Sequence, residues 1–186
     1  IDYDVLTIQD KSIITNRLQT TAITAAPSFT ANKQATLRIS GSSLDTPYSG
    51  TINGTTFNFT TGSTDGYSST LSQLRAVIQN LNISGLTVTQ FKDNLHLERS
   101  TSFTFTATGG DFETQANAFQ DQVATLEELP SESKHGHVVK VVNSGALTSS
   151  YFLKFVATNG TGGPGFWEET ISPSASTGLD ASTMPH

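Results

Sequence analysis

Three stretches of this 186-residue chain carry residue types at spacings that could do chemistry. "GTGGPG", Gly160 to Gly165, matches G-x-G-x-x-G and follows a strand-like segment. A dinucleotide site of that kind needs a helix N-terminus directly after the glycines, whose free amides hold the pyrophosphate. Here the strand-like "FWEETI" follows, and Pro164 removes one amide donor, so a turn-rich hairpin connection is expected. His135 and His137 flank Gly136 in "KHGHVV", and an i, i+2 pair on a strand would point both imidazoles one way, as some metal sites require. Glu127, Glu128 and Glu132 could add carboxylate, but no further histidine is near in sequence, and a solvated strand end is the reading preferred. Glu168 and Glu169 are adjacent, so on a strand they face opposite ways and cannot act as an acid/base pair. A hydrolase acting on surface polysaccharide would need two carboxylates converging in a cleft. Glu98, Asp111, Glu113, Glu127 and Glu169 are available, and nothing in the sequence selects two of them. No G-x-S-x-G elbow occurs, and no Ser, His and Asp are spaced to suggest a triad. The expectation is no catalytic residue, no cofactor and no metal.

The elements that would position these residues are suggested first by composition. Hydrophobic residues make up 35% of the chain and charged ones only 14%, with Ser, Thr, Asn and Gly filling the difference. Those residues favour strands and turns over charge-laced helices, which points to an all-β or α+β chain. The net charge of -6 argues against a protein that grips nucleic acid, because affinity for a phosphate backbone comes mainly from Lys and Arg displacing counterions. The absence of cysteine excludes a disulfide scaffold and thiolate metal sites, and fits folding in a reducing cytoplasm. No apolar run approaches the roughly 20 residues that cross a bilayer as a helix. The first residues, "IDYDVLTIQD", have neither an initiator Met nor a signal-peptide layout, as expected of a piece of a longer chain.

Along the chain, residues 1–33 read as a β-hairpin with a turn at Asp10-Lys11-Ser12, then a connector containing Pro27. Residues 34–110 read as an α+β module. "YSGTINGTTFNFTTG" gives two strands joined at Asn53-Gly54, since both residues tolerate the positive φ of a type I′ turn. Leu71, Leu74, Ile78 and Leu81 share one face of a helix over about 68–82, with Thr70 and Gln73 spaced as a capping box and Gly85 as the stop. "LTVTQF" and "LHLERS" flank a turn at Lys92-Asp93-Asn94, and "SFTFTAT" sets Phe103, Phe105 and Ala107 on one face. Residues 111–186 read as a β-rich module. Phe112, Phe119, Val123 and Leu126 lie near helical spacing, yet "QDQVATL" also suits a strand, and periodicity leaves both open. "HVVKVVNS", "SYFLKFVAT" and "GFWEETI" read as strands separated by loops at "GALTS" and "NGTGGPG", with Asp180 capping a helical turn that Pro185 stops. The fold expected is α+β and β-rich, with antiparallel sheets and one amphipathic helix packed on the central module.

Trp167, beside Phe166, is expected to be a packing or interface anchor, because its large apolar area is costly to leave wet and Trp is enriched at interface hot spots. The four N-x-S/T sequons at Asn53, Asn58, Asn82 and Asn159 are expected by chance in a chain this rich in Asn, Ser and Thr.

The last third of the chain resembles the tail tubular protein B family, the nozzle proteins of short-tailed bacteriophages. The resemblance rests on Leu129-Pro130, a glycine-led "VVKV" strand (Gly136, Val138 to Val141), Tyr151 with Lys154-Phe155, Gly165, Trp167, Glu169-Thr170, and Gly178-Leu179 followed by "TMPH" at Thr183 to His186. The middle module and "DVLTIQDKSIITNR" resemble the family's sheet-and-helix insertions and its earlier hairpin less specifically. Family members run on past "MPH", so the resemblance implies a fragment lacking both ends of the protein. It implies a non-enzymatic virion component, assembled in the host cytoplasm into a hexameric ring at the end of the tail, through which the genome leaves. Partners so implied are further copies of the chain, the tail adaptor (tail tubular protein A) and tail fibres, with DNA passing without sequence-specific binding. The alternative is an outward-facing module that binds tail fibres or host surface glycans.

Overall fold

The computed structural model describes residues 3–8, 11–16, 31–39, 44–110, 117–142 and 150–173. The chain divides into two units, Ile1–Phe29 with Pro173–His186, and Thr30–Ser172. In the first, β1 (Tyr3–Ile8) pairs antiparallel with β2 (Lys11–Asn16), Ile8 lying opposite Lys11. Lys11 and Ser12, expected in the turn, are therefore paired strand residues. The connector around Pro27, the "GALTS" loop, Asp111, Phe112 and Glu113, the helical turn at Asp180 and Pro185, and the family-like residues 178–186 lie outside the described residues.

The second unit begins with β3 (Gln34–Arg38), then β4 (Pro47–Ile52) and β5 (Thr55–Thr60), joined at the expected turn. Asn53 and Gly54 both take positive φ, 51° and 80°, as a type I′ turn requires. Helix α1 spans Tyr67–Asn80, followed by β6 (Thr87–Gln90), β7 (Asn94–Glu98) and β8 (Phe105–Thr108). β9 (Ala118–Phe119), β10 (Gln122–Val123), a 3-10 turn (Leu126–Glu128), β11 (Glu132–Lys134), β12 (Val138–Val141), β13 (Tyr151–Ala157) and β14 (Gly162–Thr170) complete it. The strands form a three-stranded sheet β5-β4-β8, a four-stranded sheet β6-β7-β3-β9 and a five-stranded sheet β10-β12-β13-β14-β11. The architecture is β-rich α+β, and all pairs are antiparallel apart from β10 with β12.

The helix differs from its sequence reading at both ends. Gly66 is the N-cap and makes no side-chain cap bond, so Thr70 and Gln73 are not a capping box. Asp65 instead ties the preceding turn to the helix through side chains: its carboxylate accepts the Gly62 amide at 2.6 Å and the Gln73 Nε2 at 2.8 Å. Thr70 sits inside the first turn, donating its hydroxyl to Gly66 O. At the other end Asn82, at φ 50°, supplies the left-handed residue that terminates the helix, ahead of the expected Gly85.

Leu71, Leu74 and Ile78 are fully buried in a cluster with Ala35 and Leu37 of β3, Tyr48 and Ile52 of β4, Phe57, Val88, Leu95, Leu97 and Phe103. A second cluster joins Phe119, Val123, Leu129, Val139, Val141 and Leu153, with Tyr151 and Trp167 packed on it. The open question at residues 117–126 resolves as strand: Phe119 pairs opposite Thr36 and Val123 opposite Val141, while Leu126 is 53% exposed. Cross-strand partners distant in sequence outweigh the local helical spacing. β14 also begins three residues earlier than expected, because Gly162 to Pro164 pair with Lys134 to Glu132 of β11. Thr158 to Thr161 make the actual connection, pinned by Asn159 Oδ1, which accepts the amides of Thr161 and Gly162 at 2.9 Å each.

At Gly50 in β4 neighbouring elements pass close together: a Cβ there would lie 2.2 Å from Thr106 O and 2.7 Å from the Phe57 ring. Gly50→Ala is expected to destabilise the chain by about 1–3 kcal/mol or more in urea unfolding, the usual cost of overpacking, whereas Ser49→Ala next to it changes stability by less than about 0.5 kcal/mol.

Candidate functional site

Strands β3 and β7 alternate as strands must, yet both of their faces are buried. Ala35, Leu37, Leu95 and Leu97 face the first hydrophobic cluster. Thr36, Asn94 and His96, on the opposite face, are exposed by no more than 1%. The elements that cover them come from the five-stranded sheet. Asn94 Nδ2 donates to Glu132 O at 2.8 Å, the Lys92 amide donates to Glu132 Oε2 at 3.2 Å, and Lys134 forms an ion pair with Glu98. Beneath these contacts lies a stack of rings. His96 meets His137 edge to face at 4.6 Å between centroids, His137 meets Trp167 at 5.5 Å, and Trp167 meets Phe155 at 5.1 Å.

His137 reaches the stack because β11 ends in a tight turn at His135-Gly136, with Gly136 at φ 83°. The turn separates the two histidines that the sequence places on one strand: His135 is exposed and His137 is 1% exposed, so they make no metal pair. The His135 ring accepts the Ala157 amide through Nδ1 at 3.3 Å, while His137 Nδ1 bonds the Ser133 hydroxyl at 2.8 Å. Both nitrogens of His96 and Nε2 of His137 have no hydrogen-bond partner. Burial holds His96 down to about 4, with the Glu98 carboxylate opposing and Lys134 assisting. Burial, then His96 and Lys134, hold His137 well below the usual imidazole value. Both rings are neutral at pH 7, which suits their ring-to-ring contacts.

Trp167 stands opposite Phe155 on β13 and packs against the second cluster, its Nε1 donating to Pro130 O at 2.9 Å. Phe166 points to the other face of β14 and is 59% exposed. Glu168 pairs with Lys154 at 2.8 Å on that same outer face, while Glu169 lies opposite Leu153. Glu128 accepts the Ala124 amide at 2.6 Å. Each of Glu98, Glu128, Glu132 and Glu168 is thus engaged by a neighbouring cation or amide, and Glu127 and Glu169 are exposed. A shallow groove of about 300 Å³ at the end of α1 is lined by Ile78, Gln79, Asn82, Ile83, Leu86 and Val88, with no carboxylate. Among the described residues no group of three or more metal-ligating side chains occurs. The glycines of "GTGGPG" from Gly162 onward are strand, and that strand runs on to Thr170 where a dinucleotide site needs a helix N-terminus.

His96 is the residue that sequence reasoning misses. In "LHLER" the alternation assigns Leu95 and Leu97 to the core and His96 to solvent, and only a second layer over β7 reverses that.

Comparison with known proteins supplies the remaining finding. The family model described as bacteriophage nozzle protein matches residues 1–186. No match was found among curated proteins.

The stack and the Pro130 bond make Trp167 and its neighbour unequal. Trp167→Phe keeps an aromatic ring but leaves the buried Pro130 carbonyl without its donor, at an expected cost of about 1–3 kcal/mol in chemical denaturation. Phe166→Ser removes an exposed ring and is expected to stay within about 0.5 kcal/mol of the parent.

Proposed function

We propose that this chain, which belongs to the bacteriophage nozzle protein family, forms part of the duct through which the phage genome leaves the virion. As a member of that family it is a structural component of the bacteriophage tail. The family match over the whole chain carries the reading. In this proposal several copies, six in the complete ring, surround a bore, and the ring docks on the tail adaptor and carries tail fibres. The α+β module (34–110) and the β-rich module (111–186) build its wall, and the chain has no enzymatic activity.

Two physical features support the proposal. A net charge of -6 suits a wall past which DNA slides, since like charge repels phosphates and leaves no counterions to be displaced by protein cations. β11 pairs only with Gly162 to Pro164 of β14, so on that side Phe166 to Thr170 present an unpaired strand edge among the described residues. Phe166 within that stretch and Ile171 just after it are 59% and 55% exposed, as a subunit contact would have them.

A second reading, an outward-facing binding module, is favoured by the β5-β4-β8 sheet. Its solvent face carries paired hydroxyls, Ser49 with Thr108 at 3.0 Å and Thr51 with Thr106 at 2.8 Å, suited to hydrogen bonding with a neutral glycan.

Electron microscopy of the full-length protein separates the two. The tube reading expects rings with a bore wide enough for duplex DNA, and particles without a ring overturn it. Phe166→Asp is expected to weaken ring formation while leaving the stability of the isolated chain within about 0.5 kcal/mol. Under the second reading the chain binds host surface polysaccharide, and Thr51→Val with Thr106→Val abolishes that binding. Incubation with the same polysaccharide is expected to release no oligosaccharide; release would show an enzyme.

A further inference from the structure

We propose that the His96–His137 pair is a proton-operated latch on the seam between the four-stranded and five-stranded sheets, closed at neutral pH and released in mild acid. The inference does not depend on the tube reading. It begins from geometry: two imidazoles, one on β7 of the four-stranded sheet and one in the turn between β11 and β12 of the five-stranded sheet, each no more than 1% exposed, meet edge to face at 4.6 Å. Three of their four ring nitrogens have no partner. A neutral ring tolerates this, since it keeps an apolar edge and face for its neighbours. An imidazolium does not, because a buried cation needs an acceptor.

No carboxylate is free to supply one. Glu98, on the same strand as His96, is committed to Lys134, and Glu132 on β11 accepts the Lys92 amide. Asp93 in the β6–β7 turn holds Arg38 of β3 at 3.2 Å, and on the outer face of the five-stranded sheet Glu168 holds Lys154. Lys134 itself disfavours a charge on either ring. On the far side of His137 stand the Ser133 hydroxyl, Trp167 and Phe155, none of which takes up positive charge as a carboxylate would. Protonating both rings would also set two like charges side by side.

The direction follows from linkage. Both histidines bind protons more weakly in the closed seam than in the open one, where the ordinary value of 6.5 applies. Closure is complete above that value and weakens as pH falls toward about 4, where closed His96 itself titrates. In this window the open fraction rises about tenfold per pH unit for each proton taken up, and about a hundredfold for two. Asp121, at the edge of the same region, acts in the opposite sense: burial raises its carboxyl, so its protonation favours the closed form. Release in acid is thus assigned to the imidazoles.

Hydrogen exchange on the intact chain between pH 7.5 and 5.0, corrected for intrinsic rates, tests the latch. The Lys92 amide, which bonds Glu132 across the seam, reports on it directly, and the Gly136 and Phe155 amides, which bond Phe155 O and His137 O, report on the turn that carries His137 into it; Leu74 and Ile78 in α1 serve as controls. Seam amides are expected to lose protection by at least about tenfold per pH unit below 6.5, with α1 unchanged. Equal loss in α1 means global acid unfolding and overturns the latch. His96→Phe and His137→Phe are each expected to lower the pH slope by about tenfold per unit; unchanged slopes overturn it. Should either variant not fold, proton NMR of the parent decides. Normal titration of His96 and His137 with the seam still protected refutes the proposal.

Discussion

Strands β3 and β7 are covered on both faces, and a strand so placed can put its polar side chains only against other buried groups. The consequences run outward from there. One face, through Ala35, Leu37, Leu95 and Leu97, joins the helix and two sheets into a single apolar cluster. The other must satisfy Asn94 and accommodate His96 and Thr36 without water. Asn94 donates through Nδ2 to Glu132 O while its Oδ1 has no hydrogen-bond partner, so β11 is held at its post by a side chain of β7. β11 in turn takes the first residues of β14, and the tight turn after it swings His137 inward to meet His96. The five-stranded sheet is aligned on the four-stranded one by these few polar contacts, with rings filling the space between.

Much of the local architecture is legible in the residues. Asn53-Gly54 encodes its hairpin because the left-handed requirement is local, and Leu71, Leu74 and Ile78 encode their helix because a single apolar stripe suffices. Phe103, with Phe105 and Ala107 packed behind it, lines the core as its alternation indicates. Open and mistaken readings gather where a remote partner decides. Phe119 and Val123 carry helical spacing, but β3 and β12 claim them as strands. Gly162 to Pro164 look like loop until β11, some thirty positions earlier, pairs with them. Asp65, rather than Thr70, organises the start of the helix because the turn from Gly62 brings its carboxylate there.

The stack was half visible. A lone tryptophan in a β context marks an apolar anchor, and Trp167 packs on the second cluster, but its bond to Pro130 O depends on a turn 37 residues away. His137 suggests metal chemistry only while it shares a strand with His135, and Gly136 removes that condition. His96 has no local signature, since burial of both faces of β7 is a property of the tertiary fold. The family assignment, by contrast, rests on residues spread over the whole chain and needs no site.

Trp167 is the one tryptophan of the chain, and it touches the ring of His137 on one side and Phe155 on the other. The intrinsic fluorescence of this protein therefore has a single indole emitter, placed where the two layers meet. A change in its emission wavelength or lifetime is a statement about that one place. That optical gauge requires neither labelling nor an introduced residue.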